Sequence, residues 1–135
     1  MMHHFYETRA RGMVMSEQGA SVIALLQINP TVGDLEGNAA RLERFIQTAS
    51  ASGAVACVST ELAICGYPPR DLLMQSSFVE FAQNAAFELD VPIPSLIGTP
   101  TLPDNVRSKP GNGVVLIGNA APAKIVARKQ LLPTY

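Results

Sequence analysis

Apolar positions along this chain repeat in two different rhythms, and each rhythm predicts its own kind of element. Ser21 to Ile28, SVIALLQI, is a short apolar run closed by Asn29-Pro30. Such a run predicts a strand buried on both faces, central in its sheet rather than at an edge, followed by a turn. Asp34 then stands where it can cap a helix. On that helix Leu35, Ala39, Leu42, Ile46 and Ala49 recur at spacings of four and three, which makes one apolar stripe and turns Glu36, Arg41, Glu43 and Arg44 to solvent. Ser52-Gly53 ends it. Ala54 to Ser59, AVACVS, predicts a second buried strand, and strand, helix, strand with short links predicts a right-handed parallel crossover.

A loop follows from Thr60 to Pro68. Pro69 suits the first turn of a short helix through Met74, and Ser76 or Ser77 can cap another through about Leu89, with Phe78, Phe81, Ala82, Ala85 and Leu89 inward. From Pro92 the texture changes to Pro, Gly, Asn and Asp punctuation between three apolar runs, Ser95 to Thr99, Gly113 to Gly118 and Ala123 to Arg128. These predict strands, the last two a hairpin turning near Asn119 to Pro122, with Pro100 to Asn112 an exposed loop. Alternating strands and helices make the fold class α/β.

Composition narrows the functional classes. A chain of 135 residues that is 47% hydrophobic and 16% charged has the balance of a core-forming domain, one domain or part of one. Ten basic residues against eleven acidic ones give a net charge of -1, and the basic ones are scattered, so neither nucleic acid nor an anionic membrane has an electrostatic footprint to bind. Small neutral or zwitterionic ligands fit better. Two cysteines, Cys57 and Cys65, are too few for a disulfide framework or a zinc site, so no metal is expected and a reducing, cytoplasmic setting is. Residues 1–20 carry Arg9 and Arg11 but no signal-like apolar stretch, and are read as a flexible leader ahead of a domain over 21–135.

Two segments carry candidate chemistry. In STELAICGYPPRDLL, Ser59 to Leu73, a strand delivers Glu61 at its C-terminal end, the end at which open α/β sheets bind ligands. Walled by Leu62, Ile64 and Tyr67, the carboxylate would have a raised pKa and could act as a general base. The plainer alternative is that Glu61 caps the turn or pairs with an arginine. In KQLLPTY, Lys129 leaves a strand and a Leu-Pro turn presents Tyr135. Lys129 is either a solvated strand-end lysine or a fixed cation placed where negative charge develops. Cys65 lies in a loop without a histidine nearby and reads as a packing residue.

The segments ALLQINPTVGDLEGNAARL, TELAICGYPPRDLL and RKQLLPTY together resemble, in order and spacing, the opening of the nitrilase-like amidase domain of glutamine-dependent NAD+ synthetases. The resemblance runs from about Ser21 to Tyr135. Its most specific part is GYPPRDLL, whereas a strand-end Glu and Lys-x-x-Leu-Pro occur across carbon-nitrogen hydrolases. It implies the N-terminal half of a nitrilase-like αββα sandwich and a Glu, Lys, Cys triad that hydrolyses glutamine through a thioester. Glu61 matches the general base and Lys129 the lysine that stabilises the oxyanion of the tetrahedral intermediate. Tyr67 and Tyr135 match aromatic positions that hold L-glutamine. The ammonia would pass to a C-terminal synthetase domain, with its ATP and Mg, for amidation of deamido-NAD+; for residues 1–135 themselves no cofactor is expected.

Thr60 stands where the family usually has proline, and Cys65 where it commonly has threonine. The family's cysteine lies beyond the lysine, and Tyr135 is only six residues past Lys129. The expectation is therefore a segment without glutaminase activity on its own. With half of a sandwich, it should bare an apolar sheet face and self-associate as an oligomer or aggregate. Two alternatives stand beside this reading. One is a simpler amidase of the same superfamily, and the other a non-catalytic half-domain that assembles with another polypeptide.

Overall fold

The protein is described by a computed structural model covering residues 21–105, 108–118, 120 and 122–129, so the leader expected over 1–20 and the position of Tyr135 lie outside the described residues. Among the described residues five strands form one sheet in sequence order. They are β1 (Val22–Leu26), β2 (Ala54–Ser59), β3 (Ser95–Thr101), β4 (Gly111–Ile117) and β5 (Lys124–Arg128). β1 and β3 run parallel to β2, while β4 is antiparallel to β3 and β5 to β4. Helix α1 (Leu35–Ala51) makes the crossover from β1 to β2, and a short 3-10 helix (Arg70–Met74) followed by α2 (Ser76–Phe87) makes the one from β2 to β3. The α/β class and the parallel first crossover agree with the sequence reading.

Both helices pack on one face of the sheet. Leu42 and Ile46 of α1 and Ala82 and Ala86 of α2 are buried in a single cluster with Cys57, Ile97, Val115 and Ile117 of the strands. The apolar stripe of α1 accounts for this, and Asp34 caps that helix as expected by accepting a hydrogen bond from the Gly37 amide at 3.0 Å.

β1 corrects an expectation. It is an edge strand among the described residues, and its Ile23 and Leu25 are 59% and 72% exposed. An apolar run on both faces is what a strand covered on both sides needs; the helices cover only one. The open face continues through Val58, Leu96, Val114 and Leu116, which alternate with the core residues of their strands and are half-buried.

Helix α2 faces the core largely as predicted, with Ala82 and, just beyond its end, Leu89 buried and Phe78 and Ala85 packed against the cluster, and Phe81 is the exception. Val79, Ala82 and Ala86 are its buried residues and Phe81 is 64% exposed. The Ala82 carbonyl accepts a hydrogen bond from Thr99 Oγ1 of β3 at 3.2 Å, so the small-residue side of the helix lies against the sheet and Phe81 beside it turns outward. Neither serine caps it, since Gln75 holds the cap position without a side-chain bond. The exposed loop expected over Pro100 to Asn112 is shorter, because Pro100 pairs with Asn112 and Thr101 with Gly111 in the ladder. Their Pro and Gly content had masked two more rungs.

Asn38 was missed by the periodicity, being polar and yet fully buried on α1. Its Nδ2 donates to the carbonyls of Thr31 and Ile64 at 2.8 and 2.9 Å, and its Oδ1 accepts from the Thr31 amide at 2.9 Å. The loop after β1 is thereby fastened to the loop after β2, with the Gly33 amide adding a bond to the Cys65 carbonyl at 2.9 Å. Asn38→Leu keeps the volume and leaves those three backbone groups without their partner. The expected loss is about 3 kcal/mol, read as a lower urea midpoint, against less than about 0.5 kcal/mol for Gln47→Ala on the exposed side of α1.

Candidate active site

The chain leaves β2 at Ser59 and turns through Thr60, Glu61 and Leu62 directly over Gly98 of β3. A Cβ on Gly98 would lie 2.5 Å from the Thr60 carbonyl oxygen and 2.7 Å from the Leu62 nitrogen, so only glycine lets this turn approach. Two bonds hold it there: the Gly98 amide donates to Ser59 Oγ at 2.9 Å, and the Ile64 amide donates to the Gly98 carbonyl at 3.3 Å. Leu62 adopts a φ of 51°, a strained conformation for a branched residue and one that the surrounding packing sustains. Leu62, Ala63, Ile64 and Cys65 then run into the core.

Glu61 meets Lys129 on the open face of the sheet. Lys129 follows β5, and its amide donates to the Asn112 carbonyl at 2.8 Å. Its Nζ lies 2.9 Å from Glu61 Oε1. Asn112 Nδ2 donates to the same oxygen. These three side chains edge a concavity of about 470 Å³ whose floor is formed by Val58, Leu96 and Val114. Beside it Arg128 pairs with Asp104 at 2.8 Å, tying β5 to the β3–β4 connection.

The Glu61 carboxylate is held below the usual glutamate range, contrary to the expected rise. The hydrogen bond from Lys129 is the largest cause, burial opposes it, and the bond from Asn112 and the charge of Lys129 reinforce it. Leu62 and Ile64, expected to wall the carboxylate, are in the core cluster instead, and the Glu61 side chain is 47% exposed. The pairing with an arginine weighed for Glu61 is likewise replaced by Lys129. Tyr67 follows Gly66, whose φ is 79° and whose Cβ would collide with the Val32 backbone. Tyr67 is 53% exposed and does not line the concavity.

Both cysteines are buried, as read for Cys65, and burial pushes their thiols up, that of Cys65 to about 11. A thiol so placed is a poor nucleophile. Among the described residues no group of acids, histidines and cysteines could hold a metal ion, and no helix is long and apolar enough to cross a membrane. A larger groove of about 880 Å³ between α1 and α2 is lined by Asp34, Glu36, Glu43 and Glu88 and joins no acid to a cation. Sequence reasoning found Glu61 and Lys129 but missed Asn112. An asparagine between two glycines in an otherwise apolar strand was the available signal.

Residues 22–132 match the carbon-nitrogen hydrolase family. The chain is a member of that family, and the sheet with helices on one face is its α/β fold. Over 122 residues it is 39% identical to a glutamine-dependent NAD(+) synthetase of Synechocystis sp., a match covering 84% of this chain and 22% of that protein. Its fold superposes with a TM-score of 0.73 on the glutamine-dependent NAD+ synthetase from Acinetobacter baumannii, at 23% identity over 84% of this chain and 21% of that one. On a nitrilase-superfamily amidase from Nesterenkonia AN1 the TM-score is 0.64, at 24% identity over 84% and 43% of the two chains. The chain thus spans about a fifth of the length of the first synthetase.

Because the folded pKa of Glu61 is depressed, the stability that its ion pair contributes is present above the unfolded value of about 4.3 and is lost as pH falls through the folded value. With side chains 42% and 47% exposed, that contribution stays below about 1 kcal/mol and shrinks with added salt. Lys129→Met should raise the Glu61 pKa toward the ordinary value, followed by carbon-13 NMR titration of its carboxyl; an unmoved titration would contradict the pairing.

Proposed function

We propose that this chain supplies the acid–base half of a glutamine-hydrolysing site, one that releases ammonia for the ATP-dependent amidation of deamido-NAD+ in NAD biosynthesis. The observation that supports this reading most is the 2.9 Å contact of Glu61 with Lys129 on the open sheet face, built from segments 68 residues apart in the chain. The 39% identity to a glutamine-dependent NAD(+) synthetase directs it toward glutamine rather than another amide.

In this reading Glu61 takes the proton of a cysteine thiol, the thiolate attacks the carboxamide carbon, and Lys129 stabilises the oxyanion of the tetrahedral intermediate. The protonated Glu61 returns its proton to the departing nitrogen, ammonia leaves, and water then hydrolyses the thioester. Neither Cys57 nor Cys65 serves as nucleophile, since both are buried and burial pushes their thiols up. The thiol comes from polypeptide beyond these residues. Covering the open face desolvates Glu61, and desolvation raises its pKa against the pull of Lys129, which brings the base toward its working range. The family resemblance alone assigns Tyr67 and Tyr135 to glutamine binding, Tyr67 standing outside the concavity as it is formed here, and the proposed setting is cytoplasmic. ATP and Mg belong to the amidating domain, and no residue here is assigned to them.

The exposed Ile23 and Leu25 also favour a second reading, a half-domain that assembles with another polypeptide or with itself. Size-exclusion chromatography separates these outcomes, since a monodisperse monomer with a cooperative melt would contradict any need for a cover. The chain alone should release no ammonia from glutamine above a blank; turnover abolished by Glu61→Gln would overturn this. When residues 21–135 are continued by the cysteine-bearing remainder of the domain, Glu61→Gln and Lys129→Met should each lower glutaminase kcat by about 10²–10⁴-fold. Retention of full activity in either variant would reject its assigned role.

A further inference from the structure

Asn112 is the sole polar side chain of β4, and the backbone around it is shaped to place it. The flanking glycines admit no side chain, because a Cβ on Gly111 would lie 2.7 Å from Thr101 Oγ1 and one on Gly113 would lie 2.6 Å from Thr101 Cγ2. Thr101 is fully buried against them. Asn112 pairs with Pro100 in the ladder, and side chains alternate along β4, with Val115 and Ile117 in the core. Asn112 is therefore set on the open face.

From that position the residue holds both partners of the acid–base pair. Its backbone carbonyl accepts the Lys129 amide at 2.8 Å, and its Nδ2 donates to Glu61 Oε1, the oxygen that also receives Lys129 Nζ at 2.9 Å. The opposite amide orientation would set Oδ1 against a carboxylate oxygen and is disfavoured. Both donors converge on Oε1, and neither occupies Oε2.

Resting on the glutaminase reading above, we propose that Asn112 is a positioning residue. With Lys129 it saturates Oε1 of Glu61 and thereby makes Oε2 the oxygen that exchanges the proton. In the acylation step the thiol S–H bond breaks as an O–H bond forms on Oε2. The sulfur then bonds to the carboxamide carbon, and the same proton passes from Oε2 to the nitrogen as the C–N bond breaks and ammonia leaves. A carboxylate free to rotate would present either oxygen and would lose part of the advantage of fixed orientation.

The test uses the domain continued through its cysteine, comparing wild type with Asn112→Leu, of similar size without a donor, and with Asn112→Ser as a second variant in case Leu impairs folding. We expect kcat for glutamine to fall about 10–100-fold with KM within about twofold, and the acid limb of the kcat/KM profile to move to higher pH. Unchanged kcat and an unmoved acid limb in a folded variant would overturn the proposal, as would a loss confined to KM. The carboxyl titration of Glu61 in the same samples is independent of turnover. If wild type hydrolyses no glutamine, the functional reading fails, and an upward-shifted Glu61 titration in the variant still supports the positioning contact while an unshifted one rejects it.

Discussion

A buried amide on α1 ties together the two loops that follow the first two strands. Asn38 satisfies the amide and carbonyl of Thr31 and the buried carbonyl of Ile64 at once. Much of the site depends on that clamp. The segment Leu62 to Cys65 can run through the core only because its polar backbone has partners there, and its course determines how Thr60 and Glu61 leave β2. Gly98 sets the other limit, since the turn lies against its Cα on the open face. Glu61 is thus held between a hydrogen-bonded loop behind it and a glycine beneath it.

The sheet follows a related economy. Its two parallel pairings are bridged by helices that bury one face, and its two antiparallel pairings add β4 and β5, which carry Asn112 and Lys129 toward the end of β2. The face without helices retains Ile23 and Leu25 in solvent. Those residues are apolar as in a strand suited to cover on both faces. The Glu61–Lys129 pair sits on that same bare face.

That pairing explains the state of Glu61. An exposed carboxylate bonded to a lysine is stabilised in its charged form, and its pKa falls. Withdrawal from water acts oppositely on both members of the pair. As they stand, with side chains 42% and 47% exposed, the two residues make a modest surface ion pair.

The sequence by itself determined the alternation of strands and helices and the capping of α1 by Asp34, and singled out Glu61 and Lys129 as candidates, because periodicity, caps and short motifs are local properties. The burial of Cys65 was equally legible from its lack of a local base. Other features were decided only by tertiary structure. Whether β1 is central or at an edge depends on what pairs with it, not on its own apolar run. The exposure of Phe81 on α2 was settled by how the helix meets the sheet, where the Ala82 carbonyl accepts a bond from Thr99. Asn112 acquired its place from an antiparallel rung with Pro100, and Glu61 acquired its lowered pKa from a lysine 68 residues away. Register and long-range electrostatics arise from pairs of distant segments, and no single segment encodes them.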